Sequence, residues 1–233
     1  MRECIILAGG MGTRLQSVIT DLPKCMAPIN GRPFLHYIFE WLRKNKFDRI
    51  VLSLGYKAEA IIDFTNSDSW PFEIISEIEK EPLGTGGAMT LALNHCSSPN
   101  VFIINGDTFF DIQLDKFLQY HLKTKAELTI AAKPLTNYDR YGSLLCGNDG
   151  RIIGFTEKKY TTEGIINGGI YLVNYPSLLL SGKKGRFSFE TDILEKEYPS
   201  GQFYAYPDNG YFIDIGIPED YYKAGRDFKE FFG

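Results

Sequence analysis

The chain has 233 residues, 44% of them hydrophobic, with 25 Lys and Arg against 29 Asp and Glu and a net charge of −4. A chain of this length buries ~70% or more of the surface its unfolded form exposes, so a sizeable core forms without disulfide staples. The acidic balance argues against a nucleic-acid partner, which selects a concentrated basic surface, so any anionic ligand must be held by local cations.

The four cysteines (Cys4, Cys25, Cys96, Cys146) contain no C-x-x-C pair and the three histidines (His36, His95, His121) form no ligand pattern, so neither a disulfide framework nor a structural zinc site is expected. The opening apolar run, Cys4 to Ala8, is too short for a signal-peptide core. No stretch approaches the ~20 apolar residues of a membrane span. The expected setting is reducing and cytoplasmic, without membrane contact.

In chain order, periodicity predicts a strand over Glu3–Ala8, a helix over Phe34–Asn45, a strand over Arg49–Leu54 and a helix over Lys57–Phe64. A strand over Phe72–Glu77, a helix over Thr85–His95 and a buried strand over Val101–Asn105 continue the βαβ succession. From about residue 128 the pattern changes to short β-rich pieces, Leu128–Lys133, Tyr141–Leu145, Ile152–Glu157, Ile165–Val173 and Phe203–Tyr206, with turn signals such as Asn148-Asp149-Gly150 between them. Pro218 to Phe231 closes the chain as a helix, with the proline suited to its first turn. The expected fold is α/β: a doubly wound, mostly parallel, Rossmann-like sheet with helices on both faces and a smaller mixed or antiparallel β extension. Residues 1–233 are expected to form a single domain.

The segment Leu7-Ala8-Gly9-Gly10-Met11-Gly12-Thr13-Arg14 follows the first strand, at the carboxyl edge where open α/β sheets bind ligands. Its glycines let backbone N–H groups approach a phosphate, and Arg14 adds a planar charged fork, so the loop suits a polyphosphate. A dinucleotide fingerprint beginning at Gly10 would need glycine at position 15, where Leu15 stands, and no G-x-x-x-x-G-K-[ST] run exists. Lys24 lies between two prolines, Pro23 and Pro28, that restrict the backbone around it.

Asp107 follows an apolar strand, where a carboxylate can reach a metal ion bridging nucleotide phosphates. Mg²⁺ takes one or two protein carboxylates, and Asp214, flanked by Ile213 and Ile215, is the candidate partner. A turn-capping role is the alternative for each.

Together Leu7 to Arg14 with Lys24, Glu81 to Ala88, Asn105-Gly106-Asp107, Glu157-Lys158, Asn167-Gly168-Gly169 and Asp214 resemble the sugar-1-phosphate nucleotidyltransferases, in that family's motif order and over residues 3 to about 223. Within the family the likeness is to the D-glycero-D-manno-heptose 1-phosphate guanylyltransferases of bacterial surface-polysaccharide synthesis, although Cys25 stands where proline is more usual. The resemblance implies attack by a sugar 1-phosphate on the α-phosphorus of a nucleoside triphosphate, here GTP, with Mg²⁺ as cofactor. It assigns Leu7, Ala8, Gly9, Gly10, Gly12, Thr13, Arg14, Lys24, Glu81, Gly86 and Asp107 to the nucleotide. Tyr141, Gly142, Glu157, Lys158, Asn167, Gly168 and Glu190 fall to the sugar phosphate.

Arg14, Lys24, Asp107 and Lys158 would carry catalysis, with Asp107 and Asp214 on the metal. Glu157 and Lys158 can reach one ligand only where their strand ends or bulges, because adjacent strand residues face opposite ways. Glu81 suits guanine, whose N1–H and N2–H₂ can donate to one carboxylate, although Gly86 backbone groups could read the base instead. Mannose 1-phosphate is the alternative sugar substrate. A non-catalytic nucleotide-sugar sensor and an NAD-dependent oxidoreductase are the readings from other classes. Tyr221, Tyr222 and Phe231 on the last helix would serve either a homo-oligomer contact or packing on the chain's own sheet.

Overall fold

The computed structural model describes residues 1–10, 15, 18–19, 21–177 and 182–232. Its elements in order are β1 (Glu3–Leu7), β2 (Pro28–Ile29), β3 (Arg32–Pro33), α1 (Phe34–Lys44), β4 (Arg49–Leu54), α2 (Ala58–Asn66) and β5 (Glu73–Ile78). There follow α3 (Gly84–Leu93), β6 (Asn100–Asn105), β7 (Thr108–Phe110), α4 (Leu114–Thr124), β8 (Leu128–Tyr138), β9 (Leu144–Cys146), β10 (Ile152–Phe155) and β11 (Thr161–Asn174). A π turn over Glu190–Leu194 runs into the short α5 (Glu195–Glu197), before β12 (Phe203–Pro207), β13 (Phe212–Asp214) and α6 (Pro218–Phe231).

Seven strands form one sheet in the order β12-β8-β11-β6-β1-β4-β5, in which β11 alone runs against the others. The second-half strands β8, β11 and β12 therefore widen the parallel sheet. Small two-stranded pairs, β9–β10, β7–β13 and β2–β3, stand outside it.

The alternation of β1 shows why both faces need helices. Cys4, Ile6 and Ala8 belong to one apolar cluster, with Phe34 and Phe39 of α1 and Phe228 of α6. Ile5 belongs to the other, with Met89 and Leu93 of α3 and Ile193 of the π turn. Burying each such side chain is worth about 1.5–3 kcal/mol.

The sequence reading does not predict α4, the π turn with α5, or the short strands β2, β3, β7 and β13. The period of α4 is present in Leu114, Phe117, Leu118 and His121 at i, i+3, i+4 and i+7. The predicted strand over Ile152–Glu157 ends instead at Phe155, so Thr156, Glu157 and Lys158 lie in the following loop. On α6, Phe231 packs edge-on against Phe109 and the Tyr221 hydroxyl donates to the Pro28 carbonyl at 2.6 Å, leaving Tyr222 exposed. Among the described residues no helix is long and apolar enough to cross a membrane.

Candidate active site

The parallel strands β1 and β6 lie side by side, and their carboxyl ends open into a cavity of about 980 Å³. Leu7 and Asn105 end these strands in register, and the turn after β6 folds back against β1: the Gly106 N–H donates to the Leu7 carbonyl at 2.9 Å. A Cβ on Gly106 would stand 2.8 Å from that same oxygen, so only glycine permits the approach. Asp107 is thereby delivered to the cavity wall.

The β7–β13 ladder pairs Thr108 with Asp214, and this short antiparallel contact brings together two aspartates distant along the chain. Lys24 completes the cluster from a single 3₁₀ turn, Lys24–Met26, that follows Pro23 and is anchored by buried Cys25 and Met26. The Lys24 Nζ donates to Asp107 Oδ2 at 2.6 Å and to Asp214 Oδ1 at 3.4 Å. The Gly216 N–H adds a bond to Asp214 Oδ1 at 2.8 Å, and Thr108 Oγ1 donates to Asp107 Oδ1 at 3.2 Å. Burial, then the nearby Asp107 charge, push the Asp214 carboxyl above the usual carboxylate range, against the opposing pull of Lys24. Two like charges sharing one ammonium suit a divalent cation, and Mg²⁺ needs no more than two protein carboxylates. Among the described residues no group of three or more His, Cys, Asp or Glu converges on such a point, so a zinc-type cage is not built there.

The rest of the lining comes from the second half of the chain. Tyr141 and Gly142, Thr156 to Lys158, Asn167 and Gly169, Tyr171, and Glu190 belong to it. Gly142 lies against the Thr156 carbonyl, which a Cβ would meet at 2.3 Å. Tyr141 stacks edge-on against Phe212 and carries the Arg140 guanidinium 5.3 Å over its ring, with Arg140 paired in turn to Asp220 of α6. Burial, then the Asp214 charge, raise the Tyr141 hydroxyl well above its ordinary value, so it stays a proton donor at neutral pH. Asn167 spends part of its capacity internally, donating to the Tyr171 hydroxyl at 2.9 Å and accepting from the Gly169 N–H at 2.9 Å across the irregularity in the β11–β8 ladder. With β10 ended at Phe155, Glu157 and Lys158 both border the same cavity.

Of the residues singled out from sequence, Leu7, Ala8, Gly10, Lys24, Asp107, Tyr141, Gly142, Glu157, Lys158, Asn167, Glu190 and Asp214 line this one cavity. Gly9 instead packs on the backbone of Gly55, Gly168 on the Phe110 ring, and Gly86 beneath the Phe187 ring. The Gly86 N–H donates to the Phe187 carbonyl at 3.1 Å, so that donor is engaged inside the fold. Glu81 is exposed before α3 and is not among the cavity walls. Gly12, Thr13 and Arg14 lie outside the described residues.

The walls also include Cys25, Phe155, Tyr171, Tyr198 and Gly216, which the sequence reading does not name as site residues. Cys25 and Gly216 had a local signal, their places beside Lys24 and in Asp214-Ile215-Gly216. A Cβ on Gly216 would stand 2.9 Å from Asp214 Oδ1 and 3.0 Å from the Lys24 Nζ.

A cavity at the carboxyl ends of adjacent parallel strands, lined by a paired-carboxylate and lysine cluster together with tyrosine, asparagine and glutamate, defines a phosphate-transfer site of the doubly wound class. Residues 3–230 match the Nucleotidyl transferase family, and the chain belongs to it. It is 47% identical over 229 residues to the D-glycero-alpha-D-manno-heptose 1-phosphate guanylyltransferase of Aneurinibacillus thermoaerophilus, covering 98% of this chain and 99% of that one. It is 41% identical to the protein of the same name from Campylobacter jejuni, over 94% of this chain and 97% of the relative. The structure superposes on that of HddC from Yersinia pseudotuberculosis complexed with GMP-PN with a TM-score of 0.88 and 41% identity, over 98% of this chain and 100% of that one.

Proposed function

We propose that the chain transfers GMP from GTP to D-glycero-α-D-manno-heptose 1-phosphate, releasing pyrophosphate and forming GDP-heptose. The observation that carries this reading is the convergence of Asp107, Asp214 and Lys24 at 2.6 and 3.4 Å in one cavity with Lys158 and Glu157. The near-full-length likeness to two heptose 1-phosphate guanylyltransferases supports the choice of guanine nucleotide and of heptose.

A phosphate oxygen of the sugar 1-phosphate attacks the α-phosphorus of GTP, a new P–O bond forms, and the α–β bridging bond breaks with its electrons leaving on pyrophosphate. The nucleophile is anionic near neutral pH, so no general base is required. Positioning and charge neutralisation dominate. Lys24 sits where its ammonium can turn from the aspartates toward the α-phosphate, while Lys158 holds the incoming phosphate against repulsion by the triphosphate. The hydroxyl-facing groups Tyr141, Glu157, Asn167 and Glu190 orient the sugar ring, with Gly142 beside them packed on the Thr156 carbonyl. Asp107 and Asp214 would hold Mg²⁺, whose chemistry here is neutralisation of charge at the α-phosphate and the incoming phosphate. Leu7, Ala8 and Gly10 border the triphosphate, with Gly12, Thr13 and Arg14 assigned beside them from sequence. Both substrates are cytoplasmic metabolites by their phosphorylated chemistry, which sets the proposed location.

A pyrophosphate-release assay with five nucleoside triphosphates against heptose, mannose and glucose 1-phosphates tests the reading. Turnover should need Mg²⁺ and a sugar phosphate together, with GTP and the heptose far ahead. Equal turnover with UTP would sink the guanine assignment, and preference for mannose 1-phosphate would replace the sugar.

A further inference from the structure

Glu190 is the first residue of the π turn and lines the cavity, and two hydroxyls converge on one of its oxygens. Thr85 Oγ1 donates to Glu190 Oε2 at 2.6 Å, and Ser188 Oγ donates to the same oxygen at 3.0 Å. The backbone sets both directions: the Phe189 N–H donates to Thr85 Oγ1 at 2.9 Å, and the Thr191 N–H donates to Ser188 Oγ at 3.2 Å. A hydroxyl has one hydrogen, so each of these accepts from an amide and spends its own hydrogen on the carboxylate. With Oε2 engaged twice, Oε1 has no hydrogen-bond donor among the described residues.

Thr85 itself is exposed, belongs to the first turn of α3 and is not among the cavity walls. Whatever it contributes to the site passes through Glu190. A π turn inside a helical segment commonly marks a functional position, because its extra residue re-aims a side chain at the cost of regular hydrogen bonding.

We infer that Thr85 is a positioning residue whose hydroxyl, with that of Ser188, holds the Glu190 carboxylate so that Oε1 accepts from a hydroxyl of the sugar ring. This rests on the reading above that Glu190 faces the sugar phosphate. The same bond ties the start of α3, in the first half of the chain, to the sugar-facing wall built by the second half.

The test is steady-state kinetics of Thr85→Val, Thr85→Ser and Glu190→Gln with GTP and heptose 1-phosphate, alongside calorimetric GTP binding and thermal melts. Thr85→Val should raise the KM for the sugar phosphate about tenfold, the scale of one hydrogen bond to a charged group. It should leave kcat, GTP affinity and Tm near the parent values, and Thr85→Ser should restore the KM. Glu190→Gln should raise the same KM at least as much, and adding Thr85→Val to it should change nothing further. An unchanged KM in Thr85→Val beside a raised one in Glu190→Gln overturns the positioning role and leaves the sugar-facing reading intact. An unchanged KM in Glu190→Gln removes that reading and the inference with it. Loss of Tm and GTP affinity in Thr85→Val, both restored by serine, makes the hydroxyl a structural cap and overturns the inference.

Discussion

Lys24, held by two carboxylates at 2.6 and 3.4 Å, shows how closely single atoms are placed in the cavity wall. Asp214 is the costly member, because burial and the Asp107 charge both disfavour its ionised form. A carboxyl whose folded-state pKa lies above its unfolded value costs stability at every pH above both, so at neutral pH the full cost applies. Asp214→Asn should therefore keep or gain stability in metal-free protein, with Tm higher by about 2–4 °C for each kcal/mol recovered, while turnover falls ~10²-fold or more. A melt and a pyrophosphate assay on the same preparation check both halves, and a Tm well below the parent would contradict the electrostatic account. Individual cavity-lining residues were readable from sequence where a residue type carries its own chemistry, as at Lys24, Asp107 and Asp214. Tyr171 was not, because a tyrosine in an apolar strand looks the same whether its hydroxyl meets solvent, core or cavity. Here it lines the site while 1% exposed.

Elements carry these atoms into place, and the end of the sheet away from the cavity is secured by another buried carboxylate. Glu3, fully buried at the start of β1, accepts from Arg49 Nη1 of β4 at 2.8 Å, from the Ser97 N–H at 2.9 Å and from the Ser97 hydroxyl at 3.1 Å. Arg49 also donates through Nε to Glu73 of β5 at 2.8 Å, so one arginine joins three neighbouring strands. Breaking a buried pair by removing one partner costs about 3–5 kcal/mol. Glu3→Ala should lose about that much in urea unfolding, yet turn over normally well below its melting temperature, because β1 separates Glu3 from the cavity by its own length. A loss under about 1 kcal/mol would show that Arg49 and the serines find other partners. Strand and helix positions followed from periodicity for β1, α1, β4 and α6. The π turn did not, since Phe189, Ile193 and Leu194 in Phe189-Glu190-Thr191-Asp192-Ile193-Leu194 carry an ordinary helical spacing and only packing against α3 selects the wider turn.

At the scale of the whole molecule, α4 is pinned to both halves of the sheet through His121, which is 1% exposed. Its Nδ1 lies 2.7 Å from Thr129 Oγ1 of β8 and its Nε2 lies 3.2 Å from Asn100 Oδ1 of β6. Burial lowers its pKa from 6.5 to about 4. Between those values the unfolded chain takes up a proton that the folded one refuses, so stability should fall as pH drops from 6.5 toward 4, by up to about 3 kcal/mol. Urea unfolding at pH 7, 5.5 and 4.5 should show a shallower fall for His121→Gln than for the parent, and parallel falls would refute the linkage. Read alone, the sequence determined the alternation of strands and helices, the candidate residues whose charge suits phosphate and metal, and their order along the chain, because those are matters of period and side-chain chemistry. Which of them share a wall was decided only in three dimensions. The β7–β13 pairing brings Asp214 to Asp107, and the early end of β10 turns Glu157 and Lys158 to one side. Packing under Phe187 takes Gly86 away from the cavity. Each depends on contacts between segments distant along the chain, and no local pattern encodes a long-range contact.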